Sequence, residues 1–148
     1  MKTLIVILII SSLLQSAVLP IDLVLIILIC RSYIRSDKSN LFLAFGFGLF
    51  ISFLNLTTLG LNSLIYLFCI FLTQSLSRSR LSGNLFLIIP LTFCLLCINQ
   101  LISFVLFHQP LQIFPKIFLE SILSLPILYL VKIWEERFII QKGIKLRL

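Results

Sequence analysis

Few residues of this sequence have a type and spacing suited to chemistry. Cys94 and Cys97 form a CxxC pair, but the pair lies inside an apolar segment with no acidic or histidine residue near it. Zinc takes four ligands and a redox thiol must be accessible, so the pair is interpreted as packing. Lys116 and Glu120 are one helical turn apart, and this spacing predicts an ion pair near the end of a helix.

Catalytic patterns are not found in the sequence. It contains no paired carboxylates within an apolar segment, no phosphate-binding glycine loop and no HExxH motif. Carboxylates inside apolar segments would indicate transport or proton chemistry. Asp22 lies at a predicted turn, and only Glu120 enters a membrane span. We therefore expect a non-enzymatic protein with no cofactor and no metal site, and keep an intramembrane enzyme as the weakest alternative.

The composition indicates which solvent surrounds this chain. Of its 148 residues, 60% are hydrophobic and 11% are charged, and the mean hydropathy is +1.19. A soluble domain carries roughly 25% charged residues, so this chain cannot cover itself with a water-exposed surface. The sequence predicts an all-α integral membrane protein with one membrane domain, residues 1–131. A basic amphipathic cytoplasmic tail, 132–148, is expected to contact anionic lipid or a cytoplasmic partner.

Six apolar segments follow one another and predict a six-helix transmembrane bundle. They are residues 3–19, 20–34, 41–54, 59–76, 85–107 and 113–131. Only Pro20 and Asp22 mark a break between the first two, so a five-helix bundle with one long first helix is the alternative. The N-terminal segment lacks a small-x-small cleavage signature, and we expect it to be retained as a helix.

The net charge of +7 is explained by membrane topology. With the N-terminus in the cytoplasm, eleven of the twelve Lys and Arg residues fall in cytoplasmic segments, and Lys116 alone lies outside. The eleven are Lys2, Arg31, Arg35, Lys38, Arg78, Arg80, Lys132, Arg137, Lys142, Lys145 and Arg147. This distribution follows the positive-inside rule. It predicts that both termini are cytoplasmic, and the basic charge requires no nucleic-acid partner.

Small and polar residues recur on single helix faces. Ala44, Gly48 and Ser52 are four residues apart, and so are Asn99 and Ser103. Helices in lipid have no hydrophobic driving force for association, so their packing depends on close contact through small residues. An amide that faces lipid unpaired costs several kcal/mol, so Asn99 is expected to face protein. These faces pack within the bundle or bind another protein, and the sequence leaves both open.

Residues 45–67, FGFGLFISFLNLTTLGLNSLIYL, read as two helices joined by a short outward-facing hairpin. Asn55 to Thr58 form the predicted turn, because polar residues interrupt the apolar run there. Thr58 is positioned to cap the following helix, and Gly60 lies in its first turn.

This stretch resembles the signature of the MreD family of bacterial rod shape-determining membrane proteins. That signature has a glycine-containing helix, a short Ser/Gly/Thr turn and a Leu-Gly pair, which Gly48, the turn and Leu59–Gly60 match. Upstream, LPIDLVLIIL (residues 19–28) is similar to the family's Pro-Asp/Asn followed by a leucine-rich helix. Ser52 and Leu19 depart from the aspartate and arginine that the family usually has at these positions.

The resemblance implies a fold like that of the S component of energy-coupling-factor transporters, in the bacterial inner membrane. It implies a subunit of the cell-elongation complex that binds an MreC-type bitopic scaffold and works with the wall polymerase and transpeptidase. The predicted contact residues are Ala44, Gly48, Ser52, Asn55, Thr58, Gly60, Asn99 and Ser103. The alternative is a substrate-binding S component of a vitamin transporter, for which Ser12 and Ser16 would form the docking face.

Overall fold

The computed structural model describes residues 2–18, 21–78, 84–108, 110 and 113–145, and their regular elements are all helical. The six α-helices in these ranges are α1 (Lys2–Ala17), α2 (Leu23–Ile34), α3 (Lys38–Leu54), α4 (Leu61–Ser77), α5 (Ile88–Phe107) and α6 (Phe118–Lys145). A 3₁₀ helix, Leu85–Leu87, leads into α5, and a π-helix, Ile113–Ile117, leads into α6. The predicted all-α fold is confirmed.

The first two apolar segments form separate helices. α1 ends at Ala17 and α2 begins at Leu23, so two helices stand where the five-helix alternative required one. Asp22 lies in the connection, at the residue before α2. Leu19 and Pro20, the other residues singled out at this break, lie outside the described residues.

α2 is the central helix of the bundle. It contacts each of the other five α-helices, and nine of its twelve residues are buried. Its first eight residues, LVLIILIC, are apolar on all sides, as expected of a helix with no solvent-facing side. The other five helices each expose large apolar side chains. The core is therefore built around α2, and the apolar outer surface belongs to the helices that surround it.

Polar contacts gather several chain segments at one end of the bundle. Ser77, the last residue of α4, donates its hydroxyl to the Tyr33 carbonyl at 2.8 Å, and Gln74 Nε2 donates to the Asp37 carbonyl at 2.8 Å. The Tyr33 hydroxyl donates to the Asn84 carbonyl at 2.9 Å. These bonds join the ends of α2 and α4 to the residues that precede α3 and α5.

A buried ion pair connects α2 and α6 near this end. Arg31 Nε lies 3.8 Å from Glu135 Oε1, and the two side chains are 4% and 7% exposed. Arg35 and Asp37 form a second, more exposed pair between α2 and α3. We call this end of the bundle the Arg31 end. The opposite end, where α1, α3 and α5 end and α2, α4 and α6 begin, is called the Asp22 end.

α3 ends in a Schellman motif. The Thr57 N–H donates to the Ser52 carbonyl at 3.1 Å, and the Leu56 N–H donates to the Phe53 carbonyl at 3.4 Å. Leu56 adopts a left-handed conformation, with φ of +52°, at the position where this motif usually has glycine. The chain therefore turns at residues 55–58, as the sequence predicted.

Gly60, rather than Thr58, is the N-cap of α4. Gly60 has φ of +99°, and no side chain of the hairpin forms the capping hydrogen bond. The chain enters α4 through a conformation that L-residues with a Cβ rarely adopt, so the capping position falls on the glycine. Asn62 Nδ2 instead donates across the turn to Thr57 Oγ1 at 3.1 Å.

α6 is longer than the last predicted segment. It runs for 28 residues to Lys145, past residue 131, where the predicted membrane domain ends. Pro126 lies within the helix, and the stretch KIWEERFIIQ that follows Val131 has no glycine or proline to end it. The predicted tail thus begins as a continuation of the helix.

Helix length separates the helices into two groups. Two stretches of the described chain, Ile88–Leu106 and Pro115–Arg137, are long and apolar enough to cross a membrane by length and composition. α1 to α4 have 12 to 17 residues. A helix that crosses the hydrocarbon core alone needs about 20.

Candidate functional site

The carboxylate of Asp22 is the centre of a polar cluster at the Asp22 end. Gln15 Nε2, near the end of α1, donates to Asp22 Oδ1 at 2.9 Å, and Asn99 Nδ2 of α5 donates to Asp22 Oδ2 at 3.2 Å. Each carboxylate oxygen thus accepts one amide hydrogen bond, from two different helices. These bonds fix the position and the plane of the carboxylate.

Two backbone N–H groups at the start of α2, one of them from the N-cap residue Asp22, are also satisfied by this cluster. The Asp22 N–H donates to Glu120 Oε1 at 3.2 Å, and the Val24 N–H donates to Gln15 Oε1 at 3.3 Å. The N–H groups of a helix's first turn have no partner within the helix, and Asp22 does not cap α2 with its own side chain. Side chains of α1 and α6 therefore take the place of a local cap.

Glu120 and Lys116 form the ion pair that their spacing predicted. Lys116 Nζ lies 4.0 Å from Glu120 Oε1, and the Glu120 side chain is 2% exposed. Because Glu120 also accepts the Asp22 N–H, it brings a second carboxylate next to Asp22. Two carboxyl groups, Asp22 and Glu120, therefore lie beside one ammonium group, Lys116.

A cavity of about 110 Å³ opens beside Asp22. Ten of its eleven lining residues are polar. Amide side chains are the largest group in the lining, and they belong to Gln15, Asn55, Asn62, Asn99 and Gln100. Since a water molecule occupies roughly 30 Å³, this polar cavity has room for about three or four waters or for one small polar group.

The predicted small-residue face packs inside the protein. Ala44, Gly48 and Ser52 of α3 are buried. Among the described helices, α3 and α4 form the most extensive helix–helix contact. Gly48 lies directly against Ser63 of α4. Ser52 donates its hydroxyl to the Gly48 carbonyl at 3.0 Å, which keeps its polar group within α3. Of the two possibilities left open by the sequence, packing within the bundle describes this face.

The other predicted contact residues divide between the cavity and the hairpin. Asn55, Asn99 and Ser103 line the polar cavity, whereas Thr58 is exposed on the hairpin and Gly60 is the N-cap of α4. The structure brings Asn55 and Ser103 to one cavity although they are 48 positions apart.

Sequence reasoning did not single out Gln15 and Tyr66 as parts of the site. Gln15 bonds both Asp22 and the backbone of α2, and Tyr66 lines the cavity next to it. A signal was present, because the polar residues of the six apolar segments cluster where odd segments end and even segments begin. In an alternating bundle these places share one end.

The thiols and metal-ligand groups form no further site in the described residues. Cys30 and Cys69 are buried, Cys94 is exposed, and Cys97 is half-buried, and all four thiols are free. In the part of the chain that the structure describes, no three His, Cys, Asp or Glu residues are grouped so as to hold a metal ion. The polar cavity is therefore the candidate functional site.

Comparison of the chain with models of protein families, with curated proteins and with solved structures found no match.

Proposed function

We propose that the chain is a multi-pass protein of the bacterial cytoplasmic membrane and that its six helices cross the bilayer. Large apolar side chains are exposed on five helices, while hydrogen-bonded polar groups collect at the Arg31 end and the Asp22 end. A soluble protein rarely exposes an apolar surface this extensive. In a bilayer the same surface contacts lipid and the two polar ends reach the interfaces.

The cytoplasmic side is proposed to be the Arg31 end. The described Lys and Arg residues other than Lys116 lie at the helix ends that form it or in the C-terminal half of α6. Arg80 and Arg147 lie outside the described residues. Positive charge is retained on the cytoplasmic side of membrane proteins. Both termini are therefore cytoplasmic, and the hairpin at residues 55–60 and the polar cavity face the outside.

The short helices are compatible with this arrangement because α2 is enclosed by protein. Twelve residues span about 18 Å, less than the roughly 30 Å of the hydrocarbon core. Irregular backbone within a membrane is tolerated where protein satisfies its polar groups. Glu120 and Gln15 do this for the N–H groups of Asp22 and Val24.

Within that membrane, we propose a non-enzymatic subunit of the cell-elongation complex that binds an MreC-type bitopic scaffold. Through the scaffold it would connect cytoplasmic filaments to the wall polymerase and transpeptidase outside. One observation supports this proposal above the others: the residues of the stretch 45–67 that match the MreD signature form a single structural unit, α3, the hairpin and the start of α4. Gly48 allows α3 to meet α4 at Ser63, and Gly60 makes the turn into α4.

The proposed scaffold contact lies on the exposed hairpin. Because Ala44, Gly48 and Ser52 are buried against α4, they support the hairpin rather than touch a partner. Leu56 and Leu59 are 93% and 70% exposed at its tip, and Thr58 is exposed between them. Apolar side chains on a short outward-facing turn suit the juxtamembrane segment of a bitopic partner.

The test is purification of the tagged protein from its own host in mild detergent, followed by mass spectrometry of the co-purifying proteins. We expect a bitopic coiled-coil protein together with wall-synthesis enzymes. Leu59→Asn should reduce their recovery at least fivefold. Phe86→Asn, at an apolar position of similar exposure at the Arg31 end (77% against 70%), should leave recovery unchanged. Equal recovery of the co-purifying proteins with both variants would show that the scaffold contact does not lie on the hairpin.

The polar cavity also favours a second candidate, a substrate-binding S component of a vitamin transporter. Its volume argues against that role, because pockets for vitamin-sized ligands measure roughly 300–1,000 Å³ and this one about 110 Å³. Recovery of a pair of ATPases and a multi-helix coupling protein in the same purification would establish this second role and exclude the first.

A further inference from the structure

We propose that the polar cavity binds one small cationic group, an ammonium or a guanidinium, at the Asp22 carboxylate. The proposal does not depend on the cell-elongation role. The Asp22 carboxylate has bonding capacity that its protein partners do not fill. A carboxylate offers about four lone-pair positions, and the amides of Gln15 and Asn99 occupy one on each oxygen. A second position on each oxygen remains for a donor placed in the cavity.

The charge around the cavity selects a cation. Lys116 is the one cationic residue among the described lining residues, and it is paired with Glu120 at 4.0 Å. With Asp22 included, two carboxyl groups lie beside one ammonium group. A carboxylate is stabilised by an opposite charge within hydrogen-bonding distance, so a cation of charge +1 is the ligand that complements the second carboxyl group.

The size and the lining of the cavity define the ligand further. About 110 Å³ accommodates a guanidinium or ammonium with a short stem, but not a whole cofactor. Amide and hydroxyl oxygens of Asn55 and Ser103 are available on the cavity wall to accept the cation's remaining N–H groups. Asn55 is exposed, so the cavity reaches the surface of the Asp22 end and the group enters there.

Two sources can present this chemistry. A free amine or guanidine can diffuse in from the outside, or a lysine or arginine side chain can be inserted by a protein bound at the Asp22 end. Both place the same cation at the same carboxylate. The size of what is attached to the cation distinguishes them.

The experiment is equilibrium binding of methylguanidinium to the purified full-length chain in detergent micelles, measured by calorimetry at constant ionic strength. Methylurea, which has a similar shape and no charge, is the matched control ligand. We expect saturable binding of methylguanidinium with a stoichiometry of one, and no saturable binding of methylurea. Unsaturable binding, or equal binding of the two probes, would overturn the proposal.

Two variants locate the binding at the cavity. Asp22→Asn should weaken methylguanidinium binding at least tenfold, whereas Asp37→Asn, the same change at the Arg31 end, should not alter it. Ser103→Leu places an apolar side chain in the cavity and retains Asp22, and it should also abolish binding. This second variant serves if Asp22→Asn fails to fold. If a folded Asp22→Asn or Ser103→Leu variant bound methylguanidinium with unchanged affinity, the proposal would be overturned.

A blocked tripeptide, acetyl-Ala-Arg-Ala-amide, separates the two sources. Tighter binding of the peptide than of methylguanidinium would support a side chain of a partner protein as the natural occupant. Binding of methylguanidinium without binding of the peptide would support a free small cation. Absence of saturable binding for both probes would overturn the cation site.

Discussion

Gly48 of α3 lies so close to Ser63 of α4 that a Cβ atom at position 48 would overlap the Ser63 Cα and lie 2.9 Å from its Cβ. Ser63 is itself buried, and its hydroxyl donates to the Gly60 carbonyl at 2.7 Å. The two helices therefore meet backbone to backbone at this point. Helices surrounded by lipid gain no hydrophobic free energy by associating, so close backbone contact through small residues stabilises their packing instead.

The Gly48–Ser63 contact predicts the effect of a single methyl group. Gly48→Ala should lower the free energy of unfolding by about 1–3 kcal/mol, because α3 and α4 have to move apart. Gly46→Ala is the matched control, since a Cβ at position 46 meets no atom within 4 Å. It should be neutral or stabilising by about 0.5–1 kcal/mol through helix propensity. Reversible unfolding in mixed micelles measures both, and equal stability of the two variants would contradict the contact.

Gly60 predicts a loss that arises from backbone conformation alone. A Cβ at position 60 meets no atom within 4 Å, yet φ is +99°. Gly60→Ala should therefore destabilise by about 1–2 kcal/mol, and Gly60→Asn by less, because asparagine tolerates left-handed backbone better. In the same unfolding measurement we expect the free energy of unfolding to decrease in the order glycine, asparagine, alanine at position 60. A smaller loss for alanine than for asparagine would show that the turn is not held in this conformation.

Leu56 predicts the opposite change at the other side of the hairpin. It is 93% exposed and has φ of +52°, so Leu56→Gly removes strain without removing a buried contact. We expect a gain of about 0.5–1 kcal/mol in the free energy of unfolding. Leu59→Gly is the control, because Leu59 is 70% exposed and does not have a positive φ. It should give no gain, and a similar gain at both positions would remove the explanation by strain.

The helices and the hairpin were predictable because they depend on local patterns. The apolar segments, the polar interruption at residues 55–58 and the spacing of Lys116 and Glu120 all act over a few residues, and each appears in the structure. The N-cap of α4 was predicted wrongly at Thr58. A side-chain preference suggested Thr58, and the backbone conformation of Gly60 decided the position instead.

The polar cavity was not predictable in the same way. Asp22 is bonded to Asn99 and Glu120, which lie 77 and 98 positions further along the chain. Their meeting depends on how α5 and α6 pack around α2, and no periodicity within one segment encodes that arrangement. Asp22 was placed correctly at the break between the first two segments, but its partners come from the tertiary structure.

Glu120 predicts how much the start of α2 relies on α6. Glu120→Ala removes the acceptor of the Asp22 N–H and leaves that half-buried donor without its partner, which costs about 1 kcal/mol. Glu120→Gln keeps an oxygen at the same place and should recover most of this loss. Free energies of unfolding of both variants measure the difference. Equal losses would assign the role of Glu120 to its charge opposite Lys116 rather than to the backbone hydrogen bond.

The Arg31–Glu135 pair predicts a large effect at the opposite end of the bundle. Both side chains are almost completely buried, so Glu135→Ala leaves the Arg31 guanidinium without its acidic partner in α6. Removing one member of a buried pair typically costs about 3–5 kcal/mol, because a desolvated charge loses its closest opposite charge.

Glu136 provides the matched control for this pair. It is the next residue of α6 and is exposed, so Glu136→Ala should change the free energy of unfolding by no more than about 0.5 kcal/mol. Replacing the pair by Arg31→Met and Glu135→Leu together should recover stability relative to Glu135→Ala, because an apolar pair carries no desolvated charge. If Glu135→Ala were as mild as Glu136→Ala, the pair would not hold α2 against α6, and apolar packing would account for that contact.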